Sequence, residues 1–273
     1  MQASGAAAVH GVIAELTAIT GPEWVRTSKS ELLPFDSDAL PGYHRLPSLV
    51  VLPGTPEEVA AVIKVLAAHG LSFVPRGAGT GLSGGALADN AVVVGVNRLT
   101  RIVEIDADNR IAHVEAGVVN ATLSRRAAPF GLHYAPDPGS QSACTIGGNV
   151  AENAGGPHCL KYGVTLNHIA ALRVVLPDGS FAMLGDPYGE SDGYDLTGLF
   201  VGSEGCFGIA TDVWVKLVPL PPAVRTLLAD FDSIESAAHA VSAIIASGIV
   251  PAALEMMDRA TIRAIEGSIY KAG

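Results

Sequence analysis

The chain has 273 residues, is 49% hydrophobic with only 5% aromatics, and carries a formal net charge of −10 from 27 acidic and 17 basic residues. That length suits one large domain or two ordinary ones, and the acidic balance excludes a general nucleic-acid binder, which needs a basic footprint. Cys144, Cys159 and Cys206 are odd in number and form no C-x-x-C pair, which points away from a disulfide framework or structural zinc and toward a cytoplasmic protein.

The N-terminus MQASGAAAVHGVIAELTAITG has no basic start and carries Glu15 within its apolar part, so it does not read as a signal peptide. Val9 to Ile19 is expected as a short helix, ended by Gly21-Pro22. Residues 30 to 47, with three prolines, read as an irregular strap laid over something larger. LVVLP at 49–53 is a continuous apolar run, the mark of a strand buried on both faces. Thr55, Pro56, Glu57 and Glu58 open a helix as N-cap, first-position proline and first-turn acids. Its apolar positions Val59, Val62, Ile63 and Leu66 follow helical spacing up to Gly70.

SFVP, AVVVGV, RIVEID and AHVEAG read as further strands, and Asn120 to Pro129 as a short helix. A long glycine-rich passage then precedes HIAALRVVLPDGS and FAMLG, which form a hairpin around Pro-Asp-Gly, and GIATDVWVKLVPLP is a closing strand. From Arg225 the texture changes. TLLADF, a helix from Ser233 to Ser247, ALEMMD and a helix from Arg259 read as β-α-β-α, the beginning of a second, incomplete domain. The expected division is 1–46 (helix and strap), 47–222 (main domain) and 223–273 (start of a cap). The longest uncharged run, Ser236 to Leu254, contains His239, three serines and Pro251. It reads as helix, turn and strand rather than a membrane span, leaving peripheral contact at the inner face of a membrane open.

PRGAGTGLSGGA, residues 75–86, places five glycines between Gly77 and Gly85. Gly79, Gly81 and Gly84 fit the dinucleotide fingerprint, while Gly81, Ser83 and Gly85 fit the nucleophile elbow. Both patterns require a helix directly after the glycines. Here only ALADN, with its Asp89-Asn90 turn pair, separates them from the next strand, so neither is adopted. Glu104, about 20 residues on, is where a ribose-binding acid is wanted, but it sits in an alternating strand and reads as solvent-facing. His113, His133, His158 and His168 supply triad partners by count alone. A P-loop is excluded because the chain has no Gly-Lys pair. What remains is a strand-loop-strand nest whose N–H groups suit phosphate oxygens, each such bond contributing about 1.5–3 kcal/mol. The alternative is a hairpin that merely packs closely. A second passage at 136–163, PDPGSQSACTIGGNVAENAGGPHCLKYG, repeats the theme and reads as a long functional loop against which a flat, bulky object could lie.

PRGAGTGLSGGA, PDPGSQSACTIGGNVAENAGG, GYDLTGLFVGSEG and GCFGI, in that order, resemble the FAD-linked oxidases of the vanillyl-alcohol oxidase and p-cresol methylhydroxylase type. Within these the chain is most similar to the glycolate oxidase FAD-linked subunit and the D-lactate dehydrogenases, over about residues 30 to 273. The resemblance implies an α+β fold: a two-subdomain FAD-binding domain of the p-cresol methylhydroxylase type, followed by the start of an α/β, ferredoxin-like cap. It implies that Pro75, Arg76, Gly77, Ala78, Gly79, Thr80 and Gly81 hold the FAD pyrophosphate, with Ser83 and Gly85 just beyond them. By the same implication Pro138, Gly139, Ser140, Cys144, Thr145, Gly148, Asn149, Ala154 and Gly155 line the flavin and its ribityl chain. Glu204, Gly205, Gly208 and Ile209 then close around the nucleotide.

Members that attach FAD covalently often carry a His where this chain has Thr80. A threonine cannot make that bond, so the resemblance implies noncovalent FAD. All three cysteines read as small buried residues rather than a flavin link. Arg76 is expected to hold phosphate or pair with an acid, and His158 to be structural. The implied reaction is oxidation of a small D-2-hydroxy acid to the 2-oxo acid, with hydride passing to flavin N5. The base and carboxylate-binding groups of similar proteins come from the later cap, so no catalytic residue is named here, and no metal-ligand spacing is present. Implied partners are the hydroxy acid and an electron acceptor or redox subunit. The alternative is a noncatalytic flavin-binding relay or scaffold subunit.

Overall fold

A computed structural model describes residues 2–189 and 193–269, with side chains from Gly11 onward. Helix α1 (Gln2–Thr20) is longer than expected at its N-terminal end. Val12 and Leu16 bury completely against α3, joining Val59, Ile63 and Leu66 in one cluster. A two-residue strand β1 (Val25–Arg26) and a single-turn helix α2 (Lys29–Leu32) follow. Then come β2 (Leu49–Val51), α3 (Pro56–Ala68), β3 (Phe73–Arg76) and β4 (Val92–Gly95). Helix α3 starts as its sequence dictates: the Thr55 side chain accepts the Glu58 N–H at 3.1 Å, with Pro56 in the first turn.

These strands form a sheet ordered β1-β2-β4-β3, in which β2, β4 and β3 are parallel and β1 is antiparallel to β2. Leu49, Val50 and Val51 are fully buried because the sheet is covered on both faces. Helices α1 and α3 lie on one side, and Leu32, Ala88 and Ala91 on the other. Each such aliphatic side chain contributes about 1.5–3 kcal/mol by leaving water.

The next layer is antiparallel. Strands β5 (Ile102–Asp106) and β6 (Ile111–Glu115) lead to α4 (Asn120–Ala127) and the short β7 (Leu132–His133). Helices α5 (Ile146–Glu152) and α6 (Cys159–Tyr162) precede β8 (Ile169–Val175), β9 (Phe181–Gly185), α7 (Leu196–Phe200), β10 (Ile209–Lys216) and β11 (Val218–Pro219). The sheet order is β5-β6-β10-β8-β9, and β11 pairs with β7. The expected β8–β9 hairpin is present, Val175 facing Phe181 across the Pro-Asp-Gly turn.

Where the two layers meet, a chain of charges runs from α3 into the second sheet. Glu57 Oε1 lies 3.0 Å from Arg173 Nη2, Arg173 Nη1 lies 3.6 Å from Asp212 Oδ2, and Asp212 Oδ1 lies 3.1 Å from His113 Nε2. The His113 ring stacks on Trp214 with centroids 4.0 Å apart. Asp212 is 5% exposed. Burial alone would raise its pKa, but hydrogen bonds from His113 and Thr211 and the attraction of Arg173 outweigh that and hold it below the ordinary 3.8.

The last segment differs from expectation. Helices α8 (Ile234–Ala246) and α9 (Arg259–Glu266) form, capped by Ser233 and Asp258. TLLADF and ALEMMD are not strands, because a strand exists through its ladder and neither segment has a partner among the described residues. Leu227 is 93% exposed and neither helix buries a residue.

Candidate functional site

Strand β3 ends in Arg76 and the chain then crosses to its parallel neighbour β4 through residues 77–91, which contain no helix. The dinucleotide and nucleophile-elbow geometries therefore have no helix to use. The strap grips this loop from outside. Asp38 Oδ2 accepts the Gly84 N–H at 2.8 Å, and the Gly81 carbonyl accepts the Ala39 N–H at 3.0 Å.

Arg76, only 7% exposed, donates through Nη2 to the Ser37 carbonyl (2.8 Å) and through Nη1 to the Ala86 carbonyl (3.2 Å). Its guanidinium sits 5.6 Å from the Phe35 ring centroid. Burial lowers its pKa, partly offset by Asp38 and Asp36. The side chain thus staples loop to strap. Gly79 is needed directly above it: its φ is +69°, and a Cβ would overlap the guanidinium. The N–H groups of Ala78, Gly79, Thr80 and Gly81 donate to no group among the described residues.

The second passage is not the continuous loop its glycines suggested. Thr145 Oγ1 caps α5 by accepting the Gly148 N–H at 3.2 Å. Gly147 lets the helix press on the end of β6, since a Cβ there would stand 2.7 Å from the Ala116 Cβ. The same Thr145 oxygen lies 2.5 Å from where a Cβ on Gly77 would be, so the first loop and α5 touch with no room for a side chain between them. Asn149 is 2% exposed and its Nδ2 has no hydrogen-bond partner among the described residues. Cys144 is buried, and burial pushes its thiol pKa up, partly offset by the neighbouring Ser140 and Asn149 side chains, which keeps it a neutral thiol. Cys159 is half-buried and Cys206 exposed, so the expectation of three buried cysteines fails for both. Each sits in a turn-rich segment rather than a core layer.

The third stretch turns into β10 through Glu204 (φ +52°), Gly205 (φ +80°) and Gly208 (φ +151°). A Cβ on Gly205 would run into Pro75, so this turn abuts the end of β3. Glu204 Oε2 lies 2.6 Å, and Glu152 Oε1 3.5 Å, from where a Cβ on Gly85 would be. Burial raises the Glu152 pKa, and repulsion from Glu204 and Asp38 adds to it. The first loop is therefore divided: unpaired N–H donors at 78–81, carboxylates gathered at 81–85.

One cleft joins the three stretches. Pro75, Arg76 and Gly77 line it with Gly148, Glu204, Gly205, Gly208 and Ile209, all singled out from sequence. Gly147, Val96 and Phe200 line it too and were missed. Gly147 had a signal, its Gly-Gly pair, whereas Val96 and Phe200 looked like ordinary core. Of the other sequence candidates, Thr145 touches the first loop at the cleft, while Ala78, Gly79, Thr80, Gly81, Ser83 and Gly85 continue that loop outward. Pro138, Gly139, Ser140, Cys144, Asn149, Ala154 and Gly155 flank or form α5 without lining the cleft. Unpaired N–H groups on a loop that leads out of a cleft lined by small residues fit a phosphate-bearing ligand with a flat ring. Among the described residues, no group of three or more His, Cys, Asp or Glu is placed to hold a metal ion, and no helix is long and apolar enough to cross a membrane.

The two-sheet fold with a glycine-lined cleft between its layers defines a nucleotide-cofactor-binding protein. A family model described as FAD binding domain matches residues 47–185, and one described as FAD linked oxidases, C-terminal domain, matches residues 220–272. The chain belongs to this FAD-binding, FAD-linked oxidase family, and FAD is its cofactor. It is 49% identical to glycolate oxidase subunit GlcD of Escherichia coli (strain K12), over 92% of this chain and 50% of that protein. It is 36% identical to D-lactate dehydrogenase of Anaerostipes hadrus, over 82% of this chain and 48% of that protein. The solved structure of p-cresol methylhydroxylase with substrate bound superposes with a TM-score of 0.74 at 19% identity, covering 87% of this chain and 48% of that one. The p-cresol methylhydroxylase type of FAD-binding fold expected from the motifs is the fold observed. The chain spans about half the length of the curated relatives it matches.

Proposed function

We propose that the chain is the flavin-holding part of an FAD-dependent oxidoreductase that converts a small D-2-hydroxy acid, such as glycolate or D-lactate, to the 2-oxo acid. The observation that carries this is the convergence of three glycine-rich stretches on one cleft, whose first loop continues outward into four unpaired backbone N–H groups at 78–81. In this reading the N–H groups of Ala78 to Gly81 hold the pyrophosphate. Each bond to a charged oxygen contributes about 1.5–3 kcal/mol, so four of them need no lysine. Glu152 and Glu204 repel phosphate and instead accept hydrogen bonds from hydroxyls of the ribityl or ribose units. In the same reading the Pro138–Thr145 and Gly148–Gly155 stretches lie along the ring.

Bound flavin supplies the hydride acceptor; the protein supplies position and exclusion of water. Thr80 lacks the imidazole that makes the covalent link in similar proteins, so in this reading FAD is held noncovalently. With no span among the described residues, a cytoplasmic placement, including contact at the inner face of a membrane, is part of the same proposal. The partners are then the hydroxy acid and an electron acceptor or redox subunit.

A second reading, a flavin-binding relay or scaffold subunit, is favoured by one observation: a relative at 49% identity is itself named as a subunit. An absorption spectrum before and after acid precipitation tests the cofactor reading. Flavin bands that move to the supernatant support noncovalent FAD, and bands that stay in the pellet overturn it. Anaerobic bleaching by glycolate, D-lactate or D-2-hydroxyglutarate without any partner favours the enzyme over the relay.

A further inference from the structure

The passage that flanks the cleft at 138–157 is fastened at its neck by a pair with no role in the flavin reading. Asp137 stands directly before the Pro138–Thr145 arm, and His158 follows the Gly155-Gly156 pair by one proline. The Asp137 carboxylate reaches His158 twice. Oδ2 lies 2.5 Å from the ring Nδ1, and Oδ1 accepts the His158 backbone N–H at 3.4 Å. An ionised carboxylate only accepts, so Nδ1 carries the proton and the ring is fixed in one tautomer and one orientation. The His158 and Asp137 side chains are 43% and 18% exposed, enough to be reached by water but not to be loose surface groups.

Both flanks of the neck are braced independently. On the entering side, Asn120, 1% exposed, donates through Nδ2 to the Pro136 carbonyl at 2.9 Å. On the leaving side, the Ala154 carbonyl accepts from Thr165 N (3.0 Å) and Thr165 Oγ1 (2.7 Å), and Asn153 Oδ1 accepts from Leu166 N (2.9 Å). Gly156 approaches the Asp137 backbone so closely that a Cβ would overlap its carbonyl, and its N–H points at Cys159 Sγ, 2.9 Å away. Backbone bonds from 116–121 hold the interior of the passage at Gln141, Cys144, Ile146 and Gly147, and among the described residues the side-chain bond that joins its two ends is the one between His158 and Asp137. Everything inside it, α5 included, belongs to stretches assigned to the flavin.

We propose that the Asp137–His158 pair is a clasp that closes this passage before the cofactor arrives and thereby sets how long FAD is retained. This rests on the FAD reading above. Closing a loop has an entropic cost, and a ligand that must close it itself binds more weakly by that amount. A charge-assisted bond at the neck removes the cost from the binding step. The two residues are positioning residues: they act on the cofactor through the loop they close.

The test uses the whole chain loaded with FAD, with release followed by the rise in flavin fluorescence on dilution. Asp137→Ala and His158→Ala are each expected to release FAD about tenfold faster, the loss of one charge-assisted hydrogen bond. The circular dichroism of the apoprotein should stay unchanged. The double variant should be no faster than either single one, because the two residues make one interaction. His158→Asn, whose amide N–H can replace the ring donor, should recover most of the retention, which a merely structural role would not predict. Should the alanine variants fail to fold, the isosteric Asp137→Asn carries the same expectation of faster release. Release at the wild-type rate from folded variants overturns the clasp. A wild-type chain that takes up no FAD at all overturns the cofactor reading beneath it instead.

Discussion

Arg76 shows how one side chain can look like a ligand and serve as scaffold. An arginine beside a glycine loop invites a phosphate, yet both ends of this fork are occupied by the Ser37 and Ala86 carbonyls. Arg76→Ala is therefore expected to lower apoprotein stability by about 2–4 kcal/mol, two charged hydrogen bonds less partial relaxation. A urea titration without FAD measures this. An unchanged midpoint together with a weakened FAD affinity would return Arg76 to the phosphate. Gly79 belongs to the same unit: Gly79→Ala combines left-handed strain of about 1–2 kcal/mol with a clash against the guanidinium. It should destabilise the chain even in the absence of cofactor.

Helix α5 is the element on which the second passage turns, and its start depends on one hydroxyl. Thr145→Ala removes the cap and should lower stability by about 1 kcal/mol, read as a shifted urea midpoint at constant slope. It also relieves the contact beneath Gly77, so Gly77→Ala should cost less in the Thr145→Ala background than alone. This helix was the element least legible in the sequence. Gly147 and Gly148 in its first turn are poor helix formers, and they are there because backbone, not propensity, must approach Ala116 and the first loop. Helix α3 was legible to the residue, since Thr55, Pro56 and the spacing from Val59 to Leu66 all agree with its tertiary role. TLLADF and ALEMMD failed for the opposite reason. Their composition suits a strand, but pairing is a property of two segments and a single run of sequence does not carry it. At the cleft, glycines announced where backbone comes close, while Val96 and Phe200 carried no mark that separates a lining residue from a core one.

Across the whole molecule one seam of charge joins α3 to the second sheet, from exposed Glu57 through half-buried Arg173 to buried Asp212 and its partner His113. Asp212→Asn leaves the rest of that chain without its central anion and should destabilise by about 1–3 kcal/mol near neutrality, since Arg173 keeps its pair with Glu57. Because the folded state holds the Asp212 pKa below 3.8, its contribution is complete above that value and is lost as the pH falls through the lower, folded one. The gap between wild type and variant, measured by thermal unfolding across pH, should therefore be constant above about pH 4 and close below it. A gap that widens in acid would reverse the assignment.

The strap's grip on the glycine loop also fixes an order of events. Ser37, Asp38 and Ala39 reach Arg76, Gly84 and Gly81 across 39 to 46 residues of chain. During synthesis the strap emerges first and waits, without partners, until the first parallel sheet has been completed behind it. Contacts of that sequence separation form late, because the intervening chain must be ordered before they repay its entropy. The glycine loop is thus set only once the first sheet stands behind it, although its contacts span far less chain than the 116 residues between Glu57 and Arg173. If the proposed nest is the pyrophosphate site, a molecule that has taken up FAD has already drawn its strap home.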